Sequence, residues 1–207
     1  SVLVSVMVTD PIETEPNTEK VVFRVTTDNP DHFLDSIFAL GLATFIMSTG
    51  FALLASIEPE LNRRLSQGPF LFSLEFSALI GMLAIIQPIV GKWSDKHGRK
   101  IFILTGLIFL VPITFAEGLV TAPWQMILCR LLQGISAAMV FAPALALAGD
   151  LAKKGQAASQ LSILTVAFGI GISSGAFISG YAIQFGFITP FAVGACLAAI
   201  GAVIVYT

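Results

Sequence analysis

Ten residues, Gly91-Lys92-Trp93-Ser94-Asp95-Lys96-His97-Gly98-Arg99-Lys100, separate two long apolar runs, Leu71 to Val90 and Ile101 to Leu110. A connection this short forces two spanning helices to lie side by side and antiparallel. Lys92, Lys96, His97, Arg99 and Lys100 can all carry positive charge. A short basic loop between spans stays on the cytoplasmic side of a membrane, so this stretch sets the expected orientation of the chain. Composition points the same way. The chain is 56% hydrophobic and only 12% charged, whereas soluble domains carry roughly a quarter charged residues. The expected fold class is therefore an all-α membrane protein, a bundle of six transmembrane helices. A net charge of −2 leaves no electrostatic footprint for nucleic acid.

Residues 1–32 differ from the rest and read as an acidic cytoplasmic tail. Asp10, Glu13, Glu15, Glu19, Asp28 and Asp31 crowd it, with Asp35 just beyond, and Pro11, Pro16 and Pro30 break any helix. Ser1–Val8 is apolar but too short to span a bilayer. No basic leader or cleavage pattern marks a signal peptide. Val21–Thr27 reads as a short extended segment.

Residues 33–207 read as the bundle. The first span is expected over Phe33–Ile57, uncharged between Asp35 and Glu58, with Ser48, Thr49 and Gly50 at its centre. Glu58–Gly68 is expected as an outer loop. The second span covers Phe70–Val90 and carries Glu75 about one turn inside its outer end. The third covers Ile101–Leu119, with Pro112 and, near its end, Glu117. The fourth, Trp124–Gly149, holds Arg130 in its apolar body. Lys153 and Lys154 then make a second basic inner loop. The fifth span covers Ser159–Phe185, and the sixth runs from Phe187 to Thr207 with no basic segment after it. On that pattern the chain is expected to be truncated.

Several residues in the ten-residue turn have a physical reading. Gly91 would let helix ends approach closely, and Gly98 would supply a backbone conformation closed to other side chains. Asp95 would accept backbone N–H groups at a helix start. Arg99 offers a planar fork to a carboxylate. The spacing Gly-x-x-x-Asp-Lys-x-Gly-Arg-Lys, which also takes in Lys96 and Lys100, resembles the signature loop between helices 2 and 3 of the major facilitator superfamily of transporters. The alternative is an ordinary positive-inside loop.

Arg130 and Gln133 share a helix face, and an arginine at membrane depth usually faces a polar interior. Arg130-Leu131-Leu132-Gln133-Gly134 resembles a helix 4 motif of the same superfamily, whose arginine takes part in proton coupling in many members. The alternative is a snorkelling arginine. Glu75 is the carboxylate expected to partner Arg130. Asp150 resembles the acid that closes helix 4 and pairs with the loop arginine, which makes Arg99–Asp150 a candidate ion pair. Gly171-x-x-x-Gly175-Ala176-x-x-Ser179-Gly180 resembles the helix 5 motif of the drug–proton antiporter branch, with Ala176 in place of proline and Ser179 in place of glycine. Gly134, Gly171, Gly175 and Gly180 also read as generic small-residue helix packing.

The resemblance implies half of a twelve-helix major facilitator fold, with a missing C-terminal six-helix half as partner beside the lipid bilayer and a small-molecule substrate. It implies secondary active transport of a small organic molecule, as proton-coupled export by rocker-switch alternating access, from the plasma (inner) membrane with the N-terminus cytoplasmic. The gating group would be Gly91, Asp95, Lys96, Gly98, Arg99, Lys100 and Asp150. Arg130, Gln133 and Glu75 would couple or anchor substrate. An uncharged first span speaks against a cationic substrate. The competing reading is a non-transporting sensor or assembly partner that keeps the bundle.

No enzyme, cofactor or metal site is expected. His32 and His97 lie outside the apolar runs. Cys129 and Cys196 read as small buried hydrophobes, not a disulfide. No glycine loop with a lysine and hydroxyl is present to hold nucleotide phosphates, which argues against an ATP-driven pump.

Overall fold

The computed structural model describes the backbone of residues 30–152 and 157–206 and the side chains of 37–152 and 158–206. Residues 1–29 of the expected tail, with its Val21–Thr27 segment, and Lys153, Lys154 and Thr207, lie outside the described residues, while Pro30, Asp31 and His32, expected in the tail, begin α1. Among the described residues seven α-helices follow in order: α1 Pro30–Ala52, α2 Glu58–Leu65, α3 Pro69–His97, α4 Arg99–Glu117, α5 Pro123–Leu151, α6 Ala157–Ala182 and α7 Thr189–Tyr206. Six segments among the described residues are long and apolar enough to cross a membrane, and α1 and α2 share the first of them, Ile37–Leu65.

Glu58–Gly68 is not the loop that was expected. Most of it forms α2, whose Leu61 and Leu65 sit one turn apart and are buried. Pro59 stands in its first turn with Glu58 and Glu60, and Arg63 and Arg64 close it, the charge order a helix dipole favours. Leu61 and Leu65 join Leu54, Ile57, Val120, Met126 and Phe191 in an apolar cap over one end of the bundle.

Contacts between helices set their directions. Phe76 on α3 meets Arg130 on α5, and Leu79 meets Gly134 one turn later, so α3 and α5 run parallel. Phe45 meets Gly171 and Thr49 meets Gly175, so α1 and α6 also run parallel. Helix α4 lies antiparallel to α5, with Ser136 Oγ donating to the Gly106 carbonyl at 2.5 Å. Helix α4 also packs on α7. Thus α1 uses α6 as α5 uses α3, an internal two-fold of the kind transporter bundles show.

Lipid supplies no hydrophobic drive between helices, so close backbone contact through small residues must hold them. A Cβ at Gly134 would sit 2.5 Å from the Leu79 carbonyl oxygen and 2.9 Å from Met82 Cβ. One at Gly175 would strike Thr49 and lie 3.0 Å from Ala52 Cβ, and one at Gly171 would strike Ser48 and Phe45. Gly180 differs: its nearest neighbour would be Ser56 Cβ at 3.6 Å, ordinary contact. Gly106, which no motif marked, is as tight as Gly134, with Val140 at 2.8 Å and the Ser136 carbonyl at 2.9 Å.

Helix α1 ends early, and its last carbonyls need donors. Ser179 Oγ donates to the Leu53 carbonyl at 2.5 Å. Ser56 Oγ donates in return to the Ala176 carbonyl at 2.7 Å. The two positions that depart from the antiporter pattern, Ala176 and Ser179, therefore tie α6 to the end of α1. Cys129 is half-buried and Cys196 is exposed, so Cys196 is not the buried hydrophobe expected.

Candidate functional site

Charged side chains gather at the two ends of the bundle, in different surroundings. At one end α3 continues as helix through Gly91–His97, so most of the ten-residue turn is not a loop at all. Gly98 alone breaks the path, with φ at +99°, and α4 starts at the next residue. That backbone value is the conformation only glycine adopts without strain.

Asp95 lies in the last turn of α3, not at the start of a helix. Its Oδ1 accepts from Arg99 Nε at 3.1 Å and from Arg99 Nη2 at 2.8 Å. Arg99 Nη1 donates to Asp150 Oδ2 near the end of α5. One guanidinium thus ties α3, α4 and α5 together, one-fifth exposed and flanked by more exposed carboxylates. Lys100 Nζ donates to the Tyr206 carbonyl at 3.3 Å and draws in α7. Lys96 is exposed. A Cβ at Gly91 would meet nothing within 4 Å, so the close approach expected there does not occur within this bundle.

At the other end, beneath the apolar cap, Glu75, Glu117, Arg130 and Gln133 are all fully buried. Arg130 does not snorkel. Its guanidinium stacks 5.6 Å from the Phe76 ring centre, its Nη1 donates to Gln133 Oε1, and its Nε lies 3.5 Å from Glu117 Oε1. The carboxylate paired with Arg130 is therefore Glu117, the last residue of α4, and not Glu75 as expected. Glu75 stands one turn before Leu79 on α3, at the level of Arg130, since α3 and α5 are parallel. Among the described residues, both oxygens of each glutamate, Arg130 Nε and Nη2, and Gln133 Nε2 have no hydrogen-bond partner. Glu117 was legible only as a polar group at membrane depth. Which way it faces depends on the register of α4 against α5, which a helix apolar on all sides does not advertise.

Among the described residues no three His, Cys, Asp or Glu side chains could share a metal ion. What the two clusters can do is change ion pairs: exposed ones at one end, dry ones at the other.

Residues 40–207 match the sequence model of the Major Facilitator Superfamily. The chain belongs to that superfamily. Its members are membrane transporters and not enzymes. The chain is 26% identical to multidrug resistance protein 1 of Bacillus subtilis (strain 168) over 160 residues, 77% of this chain and 41% of that protein. It is 28% identical to the class B tetracycline resistance protein of Escherichia coli over 158 residues, 74% of this chain and 39% of that protein. Among solved structures it resembles a bacterial homolog of the human lysosomal transporter Spinster, in an inward-facing, unoccupied conformation. The TM-score is 0.78 at 14% identity, over 86% of this chain and 43% of that one. At that identity the likeness establishes the fold alone. The chain spans about two-fifths of the length of the curated relatives it matches, the extent of one six-helix half of the superfamily fold.

Proposed function

We propose that this chain forms one half of a secondary transporter in the plasma membrane that exports small organic molecules in exchange for protons. Residues 33–207 make the bundle, residues 1–32 a cytoplasmic tail, and a second six-helix half completes the path. The observation that carries this reading is Arg130: a cation wholly inside the bundle, paired with Glu117 and beside a second carboxylate. Ionisable groups at membrane depth are expensive to keep and mark substrate or ion pathways. The names of the relatives, resistance proteins against several drugs or tetracycline, support export.

The basic turn supports a cytoplasmic position for its end of the bundle. Asp95, Arg99 and Asp150 then act as a latch that holds the cytoplasmic side closed while the transporter is open outward. Opening requires Arg99 to leave at least one of its two carboxylates. Alternating access follows as the two bundles rock about a site near the midplane. Gly91 and Lys96 belong to the part of the latch that the second half would contact, and Gly98 to its hinge.

The full-length transporter, reconstituted in vesicles loaded with a fluorescent dye, tests the proposal. Dye should move uphill when a proton gradient is imposed and stop when an ionophore collapses it. Dye movement indifferent to the gradient would remove proton coupling. No movement at all would favour a sensor or assembly partner.

A further inference from the structure

The outer cluster contains two carboxylates and one cation, all fully buried. Counting the groups that face it from every packed element makes the imbalance plain. Helix α3 contributes Glu75, α4 contributes Glu117, and α5 contributes Arg130 with Cys129 beside it. Helix α1 has no charged residue between positions 36 and 57, and α7 has none at all. Helix α2 offers Arg64, but its guanidinium lies 4.2 Å from the Phe187 ring centre. Gln67, in the link before α3, lies beside Glu75, yet its Nε2 donates to Asn62 Oδ1 at 3.2 Å. With both glutamates ionised, the site would hold one uncompensated negative charge away from water, a costly state for which proteins usually substitute a neutral form.

We propose that Glu75 and Glu117 together hold one exchangeable proton beside Arg130. The proton belongs to the pair. When it sits on Glu75, Glu117 remains the anion that faces Arg130. When it sits on Glu117, Glu75 becomes the counter-ion across the same guanidinium. Binding and release make and break only an O–H bond, with Arg130 positively charged throughout, so charge in the site alternates between zero and minus one. The apolar cap that includes Leu61 and Leu65 packs on Phe76 and Cys129, the chain neighbours of Glu75 and Arg130, and opening on the outer side would admit the proton. This deepens the proposed function, because it names the group that would carry the coupling ion. The proton site itself does not depend on transport being correct.

The test reads the infrared C=O stretch of a protonated carboxyl group in the full-length transporter, in lipid, from about pH 5 to about pH 9. Wild type should show one buried carboxyl band that disappears as pH rises. Glu75→Gln and Glu117→Gln should each abolish it at neutral pH, because either change leaves a neutral ion pair with no need of a proton. A site belonging to one residue would lose the band in one variant only. Arg130→Lys should keep the single band, which guards against misfolding as an explanation. Arg130→Gln, with two carboxylates and no cation, should enlarge it. No band in wild type, or a band lost on adding sodium at constant pH, would overturn the proposal, the latter in favour of a metal cation. A band that behaves as expected in a protein whose dye efflux ignores the proton gradient would leave the proton site standing and remove the transport reading.

Discussion

The two charged clusters use similar chemistry under opposite physical conditions. Arg99 bridges Asp95 and Asp150 through hydrogen bonds, with all three groups open to solvent in part. Arg130 meets Glu117 at 3.5 Å, longer and less well aligned, with both side chains wholly buried. Exposed ion pairs are worth about 0–1 kcal/mol and break easily. Removing one partner from a buried pair costs about 3–5 kcal/mol, because a stranded charge remains. The difference suits a latch at one end, which must open many times, and a charge-storing site at the other, which must not leak.

Arg130→Ala should be the most damaging change. It strands two buried carboxylates, so thermal unfolding in detergent should drop by several kcal/mol, about 3–5, and uphill dye efflux should vanish. A stable, coupled Arg130→Ala variant would show that the buried cluster is no more demanding than the exposed one. Glu117→Gln comes next. Folding should change little, since Gln preserves shape and removes a buried charge. Uphill efflux should fall at least tenfold, the equivalent of about 1.4 kcal/mol in the barrier.

Asp95→Asn and Asp150→Asn should each lower stability by no more than about 1 kcal/mol. Their effect should be on conformation. Ser94 is buried on α3 beside the turn, so alkylation of a Ser94→Cys variant reports opening of that end. Labelling should rise when Asp95→Asn is added, with no change at Cys129. The smallest effect is that of salt. Raising ionic strength from about 0.1 M to about 1 M shortens the screening length from about 10 Å to about 3 Å. Labelling at Ser94→Cys should increase modestly, while the dry cluster and Cys129 should not respond.

Much of the architecture is written in the apolar runs. Six stretches of membrane length, broken by short polar links, leave few alternatives to a helical bundle. The Arg99–Asp150 pair was legible as well, through the likeness of Asp150 to the acid that closes helix 4 and pairs with the loop arginine. What was hidden depends on which way a side chain points. Helices α3, α4 and α5 are apolar on all sides, so no stripe shows that Glu117 rather than Glu75 meets Arg130. Gly106 lies in no spacing motif, yet α5 presses on it, whereas Gly180 completes a motif and touches little. Helix α2 could have been read: Leu61 and Leu65 stand one turn apart between acidic and basic ends. Pro59 does not oppose that reading, since proline in a first turn is compatible with a helix start.

The division of labour between the two ends is tested most directly by two assays on the same vesicles: uphill dye efflux under a proton gradient, and dye exchange with no gradient. Glu117→Gln should lose the first and keep the second, because the carrier still rocks but no longer exchanges a proton. Asp95→Asn should slow both in proportion, since it disturbs the rocking itself. Full uphill efflux by Glu117→Gln would contradict the account.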